Sequence, residues 1–281
     1  MSYRTIAVHV NTSRHATHRI ALAARIAVDN DAHLVGVAAI GLPPAMYSEG
    51  LFPSGAPMLE ACLSFMKERA ESATEEFEKA ADRLGVRSFE KRIIDDEAGE
   101  SLCLQARYSD LVIVGQPDPS DAIAGERNDV AEYTMLNCGR PVLVVPYALD
   151  NVGFGDRAVI AWDGSLAAGR AVSGAVPLLR KTKLAQVVTI NPEVSMYAHG
   201  EDPGADIALY LSRHGVNVDV QRQQTGPDID IANALLSYVA DVGAGLLVMG
   251  GYGRSRLSEI ILGGTTRTIL QSMTVPVLFS H

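Results

Sequence analysis

Short apolar runs alternate with helix-like periodicity along the whole chain. Thr5-Ile6-Ala7-Val8-His9-Val10 is rich in β-branched residues and leads into Asn11-Thr12-Ser13, a turn and cap from which a helix is expected. Leu34 to Ala39, Asp110 to Val114 and Pro141 to Val145 are further apolar runs separated by helical pattern. That alternation predicts a parallel βα sheet whose strands are buried on both faces. The second half repeats the order with Arg157 to Ala161, Ala185 to Ile190, Leu246 to Met249 and Val275 to Phe279.

The repetition holds in register. Val112-Ile113-Val114-Gly115 matches Leu247-Val248-Met249-Gly250, and at the same offset Arg140-Pro141-Val142-Leu143 matches Val275-Pro276-Val277-Leu278. An internal duplication is therefore expected, with one α/β domain over residues 1–150 and a second over residues 155–281. Asp150-Asn151-Val152-Gly153-Phe154-Gly155 is short and polar and reads as the linker. The first half has an extra stretch rich in proline and glycine, from Gly41 to Pro57, which reads as a long surface insert after the second strand. Its Met46, Tyr47, Leu51 and Phe52 suit a partner surface or a lid. A long helix follows, with Leu59, Leu63, Met66, Ala70, Ala73, Phe77, Ala80 and Leu84 forming one apolar stripe.

Composition narrows the function. The chain has 281 residues, of which 47% are hydrophobic and 20% charged, enough for two ordinary cores. A formal net charge of -9 supplies no general attraction to nucleic acid or to an anionic membrane, so an anionic ligand needs a local site. The three cysteines, Cys62, Cys103 and Cys138, are far apart and read as reduced core thiols. No apolar run approaches the roughly 20 residues that span a bilayer, and Met1-Ser2-Tyr3-Arg4 is unlike a signal peptide; a cytoplasmic location is expected.

The strongest chemical signal is Gly250-Gly251-Tyr252-Gly253, then nine residues, then Gly263-Gly264-Thr265-Thr266, directly after a predicted buried strand. Glycines allow a tight turn and close approach of a ligand to the backbone, while Thr265-Thr266 opens a helix whose free amides favour an anion. The chemistry implied is phosphate cradling; a pair of tight turns without ligand is the alternative. Arg254 and Arg256 lie between the glycines, where they either offset phosphate charge or stand as plain surface residues.

This glycine spacing resembles the ATP-binding motif of the universal stress protein family, and the strand order and closing Pro-Val-hydrophobic strand of each half fit that family too. The resemblance implies two tandem domains of the adenine nucleotide alpha hydrolase-like type, each a five-stranded parallel sheet with helices on both faces. It implies an adenine nucleotide, ATP or a relative with or without Mg, as cofactor in the second domain. Asp163 in Ala161-Trp162-Asp163-Gly164-Ser165 would contact the adenine end, as would the backbone of Ile190, while Gly250, Gly253, Gly263, Gly264 and Thr265 would hold ribose and phosphates. Asp163 equally suits a helix N-cap. Two departures stand out: Gly264 replaces the family's serine or threonine and removes a phosphate donor, and Trp162 replaces a smaller residue. Family members commonly dimerise through their last strands, which in a tandem chain implies an intramolecular pseudo-dimer through Val142-Val145 and Val275-Phe279. Homodimerisation of whole chains is left open.

The first half departs further. At the same offset Gly115 remains, but Asp118, Asn128 and Asp129 replace Gly253, Gly263 and Gly264, and Asn11 stands opposite Asp163 when Ser13 is aligned with Ser165. Two carboxylates there would repel phosphate, so one nucleotide per chain is expected and the first domain reads as structural or regulatory. His9, His15 and His18 do not complete a metal set, and no metal site is expected. Asp95-Asp96-Glu97 with Glu100 reads as a solvated turn at a helix N-terminus rather than a paired-carboxylate site. Neither a Ser/His/Asp constellation nor a Gly-Lys-Ser/Thr phosphate loop is present, so no catalytic residues are assigned and any ATP hydrolysis should be slow. The expected role is sensing or signalling in a stress response; the alternative is an interaction scaffold or small-molecule binder that takes no nucleotide.

Overall fold

The computed structural model describes residues 2–41, 56–121, 127–148, 153–192, 202–226, 229–251 and 264–281, with the backbone alone at 56–59. Strands and helices alternate as the apolar runs require: β1 Thr5–His9, α1 Ala16–Asn30, β2 His33–Ala39, α2 Ala56–Arg83, β3 Phe89–Ile94, α3 Ala98–Ala106, β4 Leu111–Gly115, α4 Val130–Asn137 and β5 Val142–Val145. The second series is β6 Arg157–Ala161, α5 Leu166–Leu179, β7 Leu184–Ile190, α6 Ala205–Arg213, β8 Val218–Gln223, α7 Ile231–Asp241, β9 Leu246–Gly250, α8 Gly264–Ser272 and β10 Val277–Ser280. The expected insert between residues 42 and 55 lies outside the described residues.

The chain divides into two units, Ser2–Arg140 and Pro141–His281. In the first, the strands run parallel in the order β3-β2-β1-β4. In the second, the order is β5-β10-β9-β6-β7-β8, parallel throughout except that β5 pairs antiparallel with β10, Val144 opposite Val277 and Val142 opposite Phe279. β5, the closing strand of the first repeat, is grouped with the second of these units. Its pairing with β10 completes its hydrogen bonding on that side. All four residues of β5 are buried and apolar, and without β10 one row of their backbone groups would go unbonded.

Each unit fully buries the middles of its central strands. Ile6, Ala7 and Val8 of β1 and Val112, Ile113 and Val114 of β4 have no exposure, as do Val159 and Ile160 of β6 and Leu247 and Val248 of β9. The outer strands differ: β3 (Phe-Glu-Lys-Arg-Ile-Ile) and β8 (Val-Asp-Val-Gln-Arg-Gln) have no fully buried position. The stripe of α2 also departs from expectation. Met66, Ala70, Ala73 and Phe77 are buried, but the next buried position is Ala81, and Leu84 lies past the helix end, 42% exposed. A strict alternation of four and three averages 3.5 residues per turn and lags the 3.6 of a straight helix, so the inward face moves ahead of it. Phe77 closes this layer; its ring meets Phe89 edge-on at 6.2 Å and covers Gly36 of β2, where a Cβ would lie 2.6 Å from the ring.

Among the described residues no helix is long and apolar enough to cross a membrane.

Candidate functional site

In an open parallel sheet, ligands gather beyond the carboxyl ends of strands where successive connections leave in opposite directions. In the second unit that point lies between β6 and β9. The chain leaves β6 for β7 and β8 on one side, then returns to β9 and β10 on the other. Three residues selected from the sequence end these strands or directly follow them: Asp163 after β6, Ile190 at the end of β7 and Gly250 at the end of β9. The register sets Ala161 beside both Val188 and Met249, so the three strand ends are neighbours.

Local hydrogen bonds build the β6–α5 turn. Trp162 N–H donates to Val188 O at 2.9 Å and prolongs the ladder by one residue. Gly164 takes a φ of +73°, a conformation that favours glycine, and turns the chain toward the helix. Asp163 Oδ1 accepts Ser165 N–H at 2.9 Å, and Ser165 Oγ accepts Ala168 N–H at 3.1 Å. The N-cap of α5 is therefore Ser165, while exposed Asp163 holds the turn before it. The cap alternative for Asp163 is thereby displaced by two residues.

Gly250 sits directly against the first turn of α5. A Cβ there would lie 2.7 Å from Ala168 N and 3.0 Å from the carbonyl carbon of Ala167, so the close approach is backbone to backbone. Gly251 N–H donates to Ser280 O at 2.8 Å, which ties the start of the glycine loop to the last strand. Gly264 and Thr265 open α8, where Gly264 is exposed and a Cβ would meet nothing within 4 Å. Gly253 and Gly263, with Arg254 and Arg256, lie outside the described residues. At the end of β7, Asn191 has a φ of +46°, and its side-chain amide exchanges two 2.8 Å hydrogen bonds with Thr225, fixing the segment just past Ile190.

The equivalent crevice of the first unit is built differently. Arg19 of α1 is 3% exposed; its Nε donates to His9 O at 2.8 Å and its Nη2 to Asn11 Oδ1 at 2.8 Å. Its guanidinium stands where a Cβ on Gly115 would be, and so covers the end of β4. With Ser13 aligned to Ser165, Arg19 corresponds to Ala171, a fully buried alanine with no side chain that could reach the end of β9 as a guanidinium does. Sequence reading missed this exchange, although the repeat alignment carried the signal.

The carboxylates of the first unit also act otherwise than expected. Asp118 accepts from Arg14 Nη2 at 2.7 Å, lies 2.9 Å from His15 Nε2 and accepts from Ser120 Oγ at 2.7 Å. These bonds, that from Arg14 foremost, hold its pKa well below the usual carboxylate range. Asp121 accepts from Ser13 Oγ at 2.7 Å. Asp129 takes both arms of Arg127, at 2.8 and 2.5 Å. The charges expected to repel phosphate are thus matched by cations, and Asp118 and Asp121 tie the β4 loop to the start of α1. Hydrogen bonding at its β4 side, more than bare repulsion, distinguishes this crevice.

Glu97 corrects a second expectation. Asp95 and Asp96 are exposed, as a solvated turn requires, but Glu97 is 7% exposed and its two carboxylate oxygens make no hydrogen bond among the described residues. Among the described residues, no three His, Cys, Asp or Glu side chains gather to hold a metal ion. Burial holds the thiols of Cys103 and Cys138 in their protonated form, that of Cys103 pushed up to about 12.

Residues 156–281 match the universal stress protein family model. A curated universal stress protein of Synechocystis sp. is 24% identical over 180 residues, an alignment covering 56% of this chain and 56% of that protein. The match therefore spans little more than half of that relative's length. Among solved structures, a universal stress protein from Archaeoglobus fulgidus superposes with a TM-score of 0.67 at 17% identity, covering 98% of this chain and 97% of that one. A protein of unknown function from Pseudomonas aeruginosa PAO1 gives a TM-score of 0.58 at 15% identity, covering 98% and 92% respectively. These superpositions establish a shared α/β fold along both halves.

Proposed function

We propose, from the universal stress protein domain that residues 156–281 form, that the chain binds one adenine nucleotide, of the ATP type, at the β6/β9 switch point. The observation that carries this reading is the meeting of Asp163, Ile190 and Gly250 at adjacent strand ends, with the amides of α8 opening at Gly264 and Thr265. Asp163 and the backbone at Ile190 would take the adenine end. Gly250, Gly253, Gly263, Gly264 and Thr265 would hold ribose and phosphates, a charge that the α8 N-terminus favours. Mg would accompany the nucleotide rather than occupy a site of its own. The role is occupancy sensing in the cytoplasm: among the described residues none near the site is placed to activate water, and any hydrolysis is slow.

Titration of the full chain with ATP should reach one nucleotide per chain, and mass spectrometry of ligand released from protein purified without added nucleotide should recover an adenine nucleotide. A chain that takes up none at millimolar ATP would overturn the reading. Asp163→Ala should weaken ATP binding about tenfold, the scale of a hydrogen bond to a charged group, and should erase the preference for ATP over GTP. Unchanged selectivity would remove Asp163 from the adenine end. Gly264→Ser has the opposite sign. The new side chain meets open space and supplies a hydroxyl donor, so affinity should rise about threefold to tenfold in the same titration.

A further inference from the structure

A cavity of about 40 Å³ opens in the first unit beyond the carboxyl ends of β1 and β2. A single water needs roughly 10–15 Å³, so the space admits several non-hydrogen atoms. Ala38, Met66 and Ala70 supply apolar wall, and Tyr133 of α4 leans over Gly99 of α3, where a Cβ would lie 2.6 Å from the ring. Glu97 lines the same cavity.

Glu97 is the anomaly. A buried carboxylate ordinarily collects several hydrogen bonds, because leaving it dry costs more than any other arrangement of the group. Here the nearest cation is Arg127, with Nη1 at 3.7 Å from Oε2, and Arg127 is already committed to both oxygens of Asp129. Glu100 on α3, Asp96 before it and Asp129 before α4 add negative charge around Glu97. Arg69 of α2, held by Thr12, and His9 of β1 complete the titratable lining. The four carboxylates Glu97, Glu100, Asp129 and Asp96 outnumber the two guanidiniums of Arg69 and Arg127, each held by another partner, and the local demand is for a hydrogen-bond-donating cation with an apolar body.

We propose that this cavity binds a small primary alkylammonium ion, its three N–H donors satisfying the Glu97 carboxylate while its alkyl chain packs on Ala38, Met66 and Ala70. The site is separate from the nucleotide site proposed above and belongs to the repeat that has lost the glycine loop. Burial first, and then Glu100, Asp129 and Asp96 against the opposing Arg127, raise the Glu97 pKa above the usual carboxylate range. The occupied site would lower it again, because a bound cation favours the ionised form.

The test uses the full chain, ¹⁵N-labelled, with n-butylammonium chloride as probe and 1-butanol and butyrate as neutral and anionic counterparts. Saturable shifts are expected at the Gly99 and Tyr133 amides with n-butylammonium, with 1-butanol and butyrate about tenfold weaker or more. Glu97→Gln should weaken n-butylammonium by a similar factor. Equal binding of 1-butanol, undiminished binding by Glu97→Gln, or shifts elsewhere on the acidic surface would overturn the assignment. The variant also carries its own check on folding. A carboxyl whose pKa is raised on folding stabilises the protein only below its unfolded value and loses that contribution as pH rises through the folded one. Glu97→Gln should therefore be more stable than the parent at neutral pH, with the difference shrinking as the solution is acidified.

Discussion

Gly250→Val is expected to destabilise the second unit by about 2–3 kcal/mol, the cost of forcing a branched side chain into a filled space. The obstacle is the backbone of Ala167 and Ala168, against which even a bare Cβ would lie at 2.7 to 3.0 Å. A flexible side chain could rotate aside, but the first turn of α5 is held by the Ser165 cap and by burial of Ala167, Ala168, Ala171 and Val172. Either α5 lifts from β9 or β9 shifts against β6, and both moves open the strand ends where Asp163 and Gly250 meet. Denaturant titration should show a lower midpoint for the transition of this unit. Gly169→Ala supplies the contrast within the same helix: its Cβ would meet nothing within 4 Å, so the gain in helix propensity should stabilise by roughly 0.5–1 kcal/mol. Equal stability of the two variants would show that α5 does not seat on Gly250.

Gly253→Asp should lower ATP affinity about a hundredfold without altering the denaturation midpoint. The substitution restores at residue 253 the residue type that the first repeat carries at the matching position, Asp118. In the first repeat Arg14 and His15 surround that carboxylate. The second repeat has Leu166 and Ala167 at the matching positions, so the α1 cations that hold Asp118 have no counterpart there. A carboxylate about 4 Å from a phosphate oxygen costs roughly 4 kcal/mol at an effective dielectric of 20, enough for a loss of this size after screening. Calorimetry of the folded variant measures it, and unchanged affinity would remove the phosphates from this loop. The reverse exchange, Asp118→Gly alone, should not create a second site, because Arg19 still covers Gly115.

The sequence by itself determined the features that repeat locally. Runs such as Val112-Ile113-Val114 and Leu247-Val248-Met249 are apolar at every position because their strands are covered on both faces, and a pattern of that kind needs no partner to be read. The duplication and the βα alternation follow from such runs and their spacing, whereas Asp163 and Ile190 were singled out only by the resemblance to a known family. Edge strands were less legible. β3 and β8 have one poorly covered side, so Glu90, Lys91 and Arg92 or Asp219, Gln221 and Arg222 interrupt the apolar signal that marks the inner strands.

Tertiary structure alone decided what depends on residues distant in sequence. The resemblance implied that the last strands pair, but that β5 meets β10 antiparallel with Val144 opposite Val277 rests on hydrogen bonds across more than a hundred residues, a register no local pattern states. Arg19 looks like an ordinary charged position on an amphipathic helix until β4 brings Gly115 beneath it. Glu97 looks like an acid favourably placed at a helix N-terminus, and only the packing of α2, α3 and α4 around it turns a solvated charge into a buried one. Residue type sets what a side chain can do in water; the surrounding chain decides whether water is there, and so whether the charge is cheap surface or a demand for a ligand.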